Sequence, residues 1–295
     1  MELCRKKIWF ADGILLLVAA IWGGGFVAGK EALSGFSAVN ILMYRFAGAA
    51  LILGILFWKR VIHANRTVII MGLSIGILQF VGLLIQLIGL QHTTPAKQSF
   101  LVAAYVVFTP FVSHFVLKSS LVKRDIWVAL LAFVGLALIC FSGNAQVGVL
   151  QLGDLLSILF AVIFSLQIVL IGRFSGSHMD VFAFTFYQFV SAAILSFVAS
   201  LVFGIQFSAP PASSIAGIVY LAVINTALAM CLQNYAQRFT NDSHVALLLS
   251  LESVFGLVLS TFFYHDPITL PMFLGCAIVL SAVLLSKLHG KHRQS

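Results

Sequence analysis

Long apolar runs recur along the chain, each about as long as a helix needs to cross a bilayer's hydrocarbon core. Only short polar connections separate them, so no soluble domain is inserted between runs. Lipid offers a backbone N–H or C=O no partner, so runs of this length must be helices, not strands. They fall approximately at 12–32, 38–57, 67–90, 95–117, 125–142, 154–172, 180–203, 214–236, 243–264 and 267–287. The expected fold is therefore an all-α integral membrane protein with ten transmembrane helices. Composition supports this: 61% of residues are hydrophobic and 9% charged, against about 25% charged in soluble domains. Too little polar surface is left to cover a water-soluble fold.

Helix-entry chemistry marks several starts. Thr94-Pro95 and Asp266-Pro267 each put a capping acceptor before a proline whose missing N–H is harmless at the first helical position. Asp154, Asp180 and Ser243 also stand where caps are expected. Arg5, Lys6 and Lys7 before the first run resemble the start of a signal peptide, but the apolar stretch continues with bulky residues through Trp22 to Ala28. An uncleaved first span is the better reading. Cys4, Cys140, Cys231 and Cys276 show no pairing pattern and read as small packing residues.

The distribution of Lys and Arg orients the chain. With the N-terminus inside, Arg5, Lys6, Lys7, Lys59, Arg60, Arg66, Lys118, Lys123, Arg124, Arg173, Arg238, Lys287, Lys291 and Arg293 collect on the inner face. Lys30 and Lys97 fall outside, and Arg45 lies within a span. This bias predicts a multi-pass protein of the plasma (inner) membrane with both termini cytoplasmic. It also accounts for the net charge of +8 without nucleic acid. No connection carries the basic and aromatic clusters of a nucleic-acid site.

The chain reads as two halves, 12–142 and 153–287. Asp12-Gly13-Ile14-Leu15-Leu16-Leu17 opens the first and Gly153-Asp154-Leu155-Leu156-Ser157 the second. Thr109-Pro110-Phe111-Val112 lies about where Glu252-Ser253-Val254-Phe255 lies in the second half. Five spans per half is an odd number, so the second copy enters the membrane from the opposite side. Inverted five-helix repeats of this kind are a recurring device of secondary transporters.

Trp22-Gly23-Gly24-Gly25-Phe26 with Lys30, and Tyr44-Arg45-Phe46-Ala47-Gly48, resemble the first two spans of EamA-type transporters of the drug/metabolite transporter superfamily. Leu251-Glu252-Ser253-Val254-Phe255, Asp266-Pro267-Ile268-Thr269 and Leu274-Gly275 resemble that family's ninth and tenth spans. The resemblance covers nearly the whole chain. Ser253 stands where the family often has proline, and His265-Asp266 where it often has Gly-Glu. What the resemblance implies is an exporter of metabolites or drugs with a central cavity between the repeats.

Eight of the nine acidic residues lie at chain ends, span ends or connections; Glu252 alone falls near the centre of a span. A charge there costs about 3 kcal/mol on insertion scales unless it is paired or neutralised. Glu252 is thus a candidate for proton coupling or for holding a substrate amine, against a structural hydrogen bond. Arg45, about seven residues into its span, can snorkel to the outer surface, pair with an acid or simply anchor its helix. Lys97 can meet an anion at the cavity mouth or serve as a plain interfacial lysine.

Gln79 and Gln86 are about 700° apart around a helix, nearly two full turns, and share one face. That face should point inward. Gln167, Asn225, Gln233 and Asn234 add amides, with Asn225 and Gln233 about 80° apart and able to share a sector. Amides can bind a zwitterion or heterocycle, or glue helices at about 0.6 kcal/mol per bond. Trp22 and Tyr105 can stack on a flat or cationic ligand, or pack as ordinary core. Gly25 and Gly29 form a GxxxG pattern that permits close helix approach.

No metal-ligand motif and no Walker A sequence is present, so neither metal, cofactor nor ATP hydrolysis is expected. An intramembrane enzyme would need a convergent catalytic set, which one central glutamate and scattered histidines do not supply. A scaffold would need no polar cavity. The expectation is a secondary active transporter exporting amino acids, amines or heterocycles, with protons as a candidate coupling ion. One chain supplies both halves, so a monomer suffices, although a dimer is compatible with the sequence.

Overall fold

The structure, a computed structural model, describes residues 2–141, 151–175, 179–204, 210–264 and 269–288; Asp266-Pro267 lies outside them. Among the described residues every regular element is a helix. In the first half, α1 is Glu2–Leu33, α2 Ala38–Leu56 and α3 Arg66–Gln91. The fourth helix, α4, is broken into Pro95–Ala103 and Tyr105–Leu117, and α5 is Lys123–Phe141.

The second half follows the same plan. Its first two helices are α6, Leu152–Phe174, and α7, Val181–Phe203. Then α8 runs as Ala212–Val219, a π-helical stretch Tyr220–Leu228 and Ala229–Ala236. A break divides α9 into Asp242–Leu249 and Glu252–Tyr264, and α10 is Leu270–Leu288. Among the described residues, α1–α4 and α6–α9 give eight stretches long and apolar enough to cross a membrane, with a shorter apolar stretch in α10.

Capping follows the local sequence. Thr94 accepts from the backbone N–H of Lys97, Asp180 from those of Phe182 and Ala183, and Asn241 from that of His244. Asn241 therefore holds the capping position expected of Ser243. Asp154 sits one turn inside α6, where its Oδ2 accepts the backbone N–H of the true cap, Gln151, at 3.1 Å. Each acceptor satisfies N–H groups that a helix start leaves open.

The first helix of each half docks on the other half. α1 lies against α8 and α9, and α6 lies against α3 and α4. α7 packs on α2 and α3, while α5 and α10 pair off together. Helices in lipid associate by close packing rather than by hydrophobic exclusion. Several glycines accordingly let the backbone of a neighbouring helix come close. A Cβ on Gly23 would stand 2.8 Å from Gly256 N, one on Gly72 2.6 Å from Phe184 O, and one on Gly135 2.7 Å from Gly275 O. Gly25 and Gly29 behave otherwise: they meet the side chains of Asn225 and Leu90, making room for side chains rather than for a backbone.

Candidate functional site

Helices of both halves line a cavity. Its apolar wall includes Phe26, Leu83, Leu87, Phe160 and Phe164; its polar groups come from Trp22, Arg45, Gln79, Gln86, Gln98, Asn225 and Glu252. The cavity volume is about 50 Å³. That is room for a few waters, at roughly 10–15 Å³ each.

Arg45 is 5% exposed and turns into the protein. Its Nη2 donates to Asn225 Oδ1 at 2.7 Å and its Nε donates to Thr226 Oγ1. It neither snorkels nor finds an acid: among the described residues no carboxylate forms an ion pair with it. The reason is local. The π-helical winding of α8 turns Asn225 and Thr226 toward α2, and their oxygens take the guanidinium. Asn225 is itself fixed: its Nδ2 donates to Ile21 O at 3.3 Å, and Trp22 Nε1 donates to its backbone oxygen at 3.1 Å. Gly25 leaves the space that the Asn225 amide fills.

Glu252 is 3% exposed and opens the second part of α9. The broken turn before it is partly satisfied by side chains: Ser250 Oγ donates to Leu247 O at 2.8 Å and Ser253 Oγ to Ser250 O at 2.7 Å. Ser253 thus ties down the break where proline would have removed a donor. Tyr105 opens the second part of α4 and is fully buried. Its hydroxyl stands beside the Glu252 carboxyl. The contact is not a well-formed hydrogen bond, since Tyr105 OH and Glu252 Oε1 are both buried without a partner of normal geometry.

This contact revises the internal register. Tyr105, not Thr109, is the counterpart of Glu252, one helical turn from the position the sequence pattern suggests. Thr94, Lys97 and Tyr105 have the same spacing as Asn241, His244 and Glu252, and the helix breaks coincide. Tyr105 lies behind the cavity wall, with its ring edge-on to Phe164 at 5.0 Å. Trp22 meets the same Phe164 ring edge-on at 5.5 Å and lines the cavity.

The amides divide into two groups. Gln79 Oε1 accepts from Gln167 Nε2 and, at 3.0 Å, from Gln188 Nε2. Asn234 Nδ2 donates to Gln188 Oε1 at 3.0 Å and to Thr185 Oγ1 at 2.9 Å, extending the chain through α7 and α8. Gln79 and Gln86 both line the cavity, whereas Gln167 reaches it only through Gln79. Gln233 turns away, donating to Gln237 Oε1 at 2.9 Å. It does not share a sector with Asn225, because the π-helical stretch shifts the phase between them.

Gln98, which sequence reasoning passed over, donates to Gln86 O at 2.7 Å and joins the cavity wall. Gln188 was passed over as well. The signal for both was the one that identified Gln79, an amide inside an apolar run.

Lys97 does not reach the cavity; its Nζ pairs with Asp154 Oδ2 at 2.8 Å. At the other end of the molecule His244 Nε2 lies 3.0 Å from Asp12 Oδ1. Among the described residues no group of three His, Cys, Asp or Glu could hold a metal ion. Of the sequence candidates, the cavity brings together Trp22, Arg45, Gln79, Gln86, Asn225 and Glu252.

Comparison with known proteins gives a consistent picture. The model of the EamA-like transporter family matches residues 9–141 and 151–288. An uncharacterized transporter of Archaeoglobus fulgidus is 32% identical over 286 residues, covering 96% of this chain and 87% of its own. The uncharacterized transporter YyaM of Bacillus subtilis is 26% identical, covering 92% of each chain. A solved crystal structure matches with a TM-score of 0.76 over 97% of this chain and 99% of its own, at 16% identity, a likeness of fold alone.

Proposed function

The chain belongs to the EamA-like transporter family, and on that premise we propose that it is a secondary active exporter of small amphoteric metabolites of the amino-acid class. The observation that carries this reading is the cavity's pair of opposite groups. Arg45 and Glu252 both line it, both are buried, and neither is paired with the other.

A buried cation without a counter-ion favours any ligand that brings one. Arg45 uses its Nε and Nη2 on Thr226 and Asn225, which leaves other N–H groups of the fork to meet a substrate carboxylate. Glu252 can hold the substrate's ammonium or exchange it for a proton, which couples export to a proton gradient. Trp22 and the cavity phenylalanines contact the side chain, and Gln79 and Gln86 supply neutral hydrogen bonds. Both termini lie in the cytoplasm and the membrane is the plasma membrane; the Lys and Arg bias supports this orientation. The cycle rocks the two halves about the cavity.

A nucleotide-sugar or phosphate-ester substrate is less well supported, because Arg45 is the one Lys or Arg lining the cavity among the described residues. The deciding experiment is flux in proteoliposomes. A library of amino acids, amines and heterocycles is loaded at two imposed pH gradients, with Glu252→Gln as control. Gradient-dependent flux of a zwitterion in the native chain but not in the variant supports the reading. No flux of any member overturns the substrate class, and flux indifferent to the gradient overturns proton coupling.

A further inference from the structure

Two polar pairs at opposite ends of the bundle occupy corresponding places in the two halves. Lys97 is the third residue of α4 and is capped by Thr94; His244 is the third residue of the first part of α9 and is capped by Asn241. Each reaches an aspartate on the other half's first helix. Lys97 takes Asp154 of α6 at 2.8 Å, and His244 takes Asp12 of α1 at 3.0 Å. Successive long helices reverse direction, so the pairs lie at opposite ends of the bundle. Each cross-link joins the two halves at one end of the bundle, between helices that line the cavity farther along, and neither pair lines the cavity itself.

From this geometry we infer that Lys97–Asp154 and His244–Asp12 are the two latches of the transport cycle, each broken when its own end of the cavity opens. Both aspartates are almost wholly buried, at 3% and 2% side-chain exposure. A buried carboxylate needs its partner while the end is shut and can take water once it opens. A hydrogen-bonded polar pair therefore suits a contact that must be firm when closed and easily released. Further polar contacts lie close to each latch. Asp154 also accepts the Gln151 N–H, and Asp242, beside His244 in sequence, accepts from Ser113 Oγ of α4 at 3.4 Å. The inference rests on the transport reading, but its test needs no substrate, so either can fail alone.

The test is the reaction of one cavity cysteine, Leu83→Cys, with a membrane-impermeant maleimide added from each face of oriented vesicles. The background replaces Cys4, Cys140, Cys231 and Cys276. Asp154→Asn and Lys97→Gln should each raise the labelling rate about 5-fold or more from the Lys97 face only. Asp12→Asn and His244→Gln should do so from the opposite face only. The exchange Lys97→Asp with Asp154→Lys should return labelling toward the parent rate. Lys97, at 22% exposure, is the partner whose replacement least threatens folding, so its variant reads the latch even where Asp154→Asn yields no monodisperse protein. Unchanged rates, or equal changes from both faces, would overturn the inference.

Discussion

Tyr105 and Glu252 face each other at the centre of the molecule, each the first residue after the break in its own half's fourth helix. Equivalent positions of two repeats meet in this way only near the axis that relates them. One carries a phenol, the other a carboxyl, so the two equivalent positions differ in chemistry. Glu252→Gln should keep the fold, since the amide is isosteric, and should abolish the response of flux to an imposed pH gradient. Efflux measured with and without the gradient checks this. A variant that still follows the gradient, at normal expression, rules out Glu252 as the coupling group.

Arg45→Met separates binding from stability. Removing a buried charge that lacks a counter-ion relieves its desolvation cost, which offsets the loss of its hydrogen bonds to Asn225 and Thr226. Thermal unfolding in detergent should therefore show no loss, while flux of carboxylate-bearing substrates falls at least about 10-fold, equivalent to about 1.4 kcal/mol. Arg45→Lys should not restore it, because an ammonium lacks the planar fork that engages Thr226, Asn225 and a carboxylate together. A parallel loss of stability and flux would mark Arg45 as structural.

Glycine substitutions should divide by what they touch. A Cβ at Gly23 meets the backbone of α9, and one at Gly76 collides with Gln188 O; neither backbone can yield cheaply. Gly23→Ala and Gly76→Ala should each cost about 1–3 kcal/mol in detergent unfolding. Gly13→Ala, with nothing within 4 Å of the added carbon, should be neutral or stabilising by up to about 1 kcal/mol.

Gln188→Leu removes both the donor to Gln79 and the acceptor of Asn234. At about 0.6 kcal/mol per interhelical bond, the loss should be about 1 kcal/mol. A double-mutant cycle with Gln79→Leu should show coupling, since the two share one bond. Additive losses would mean that the bond contributes nothing.

The apolar run lengths made the helices legible, and the spacing of Gln79 and Gln86 made their shared inward face legible. Glu252 stood out because a lone acid in an apolar span is rare. Arg45 was visible but not its surroundings: its partners depend on π-helical winding in α8, which no hydrophobic period announces. The same winding separated Asn225 from Gln233. The pairings of Lys97 with Asp154 and of His244 with Asp12 were hidden for a different reason. Each joins residues far apart in sequence, across an interface between halves whose register the weak internal similarity left one turn out at Tyr105.

The docking of α1 on α8 and α9 has a consequence for how the chain is made. During synthesis from the N-terminus, α1 enters the membrane long before residues 212–264 exist. Until then Trp22 lacks the Asn225 carbonyl, Asp12 lacks His244, and the Gly23 surface lacks the backbone it fits. α1 is therefore made well before the neighbours it finally packs on. A chain truncated after α7 would leave Trp22, Asp12 and the Gly23 surface without these contacts.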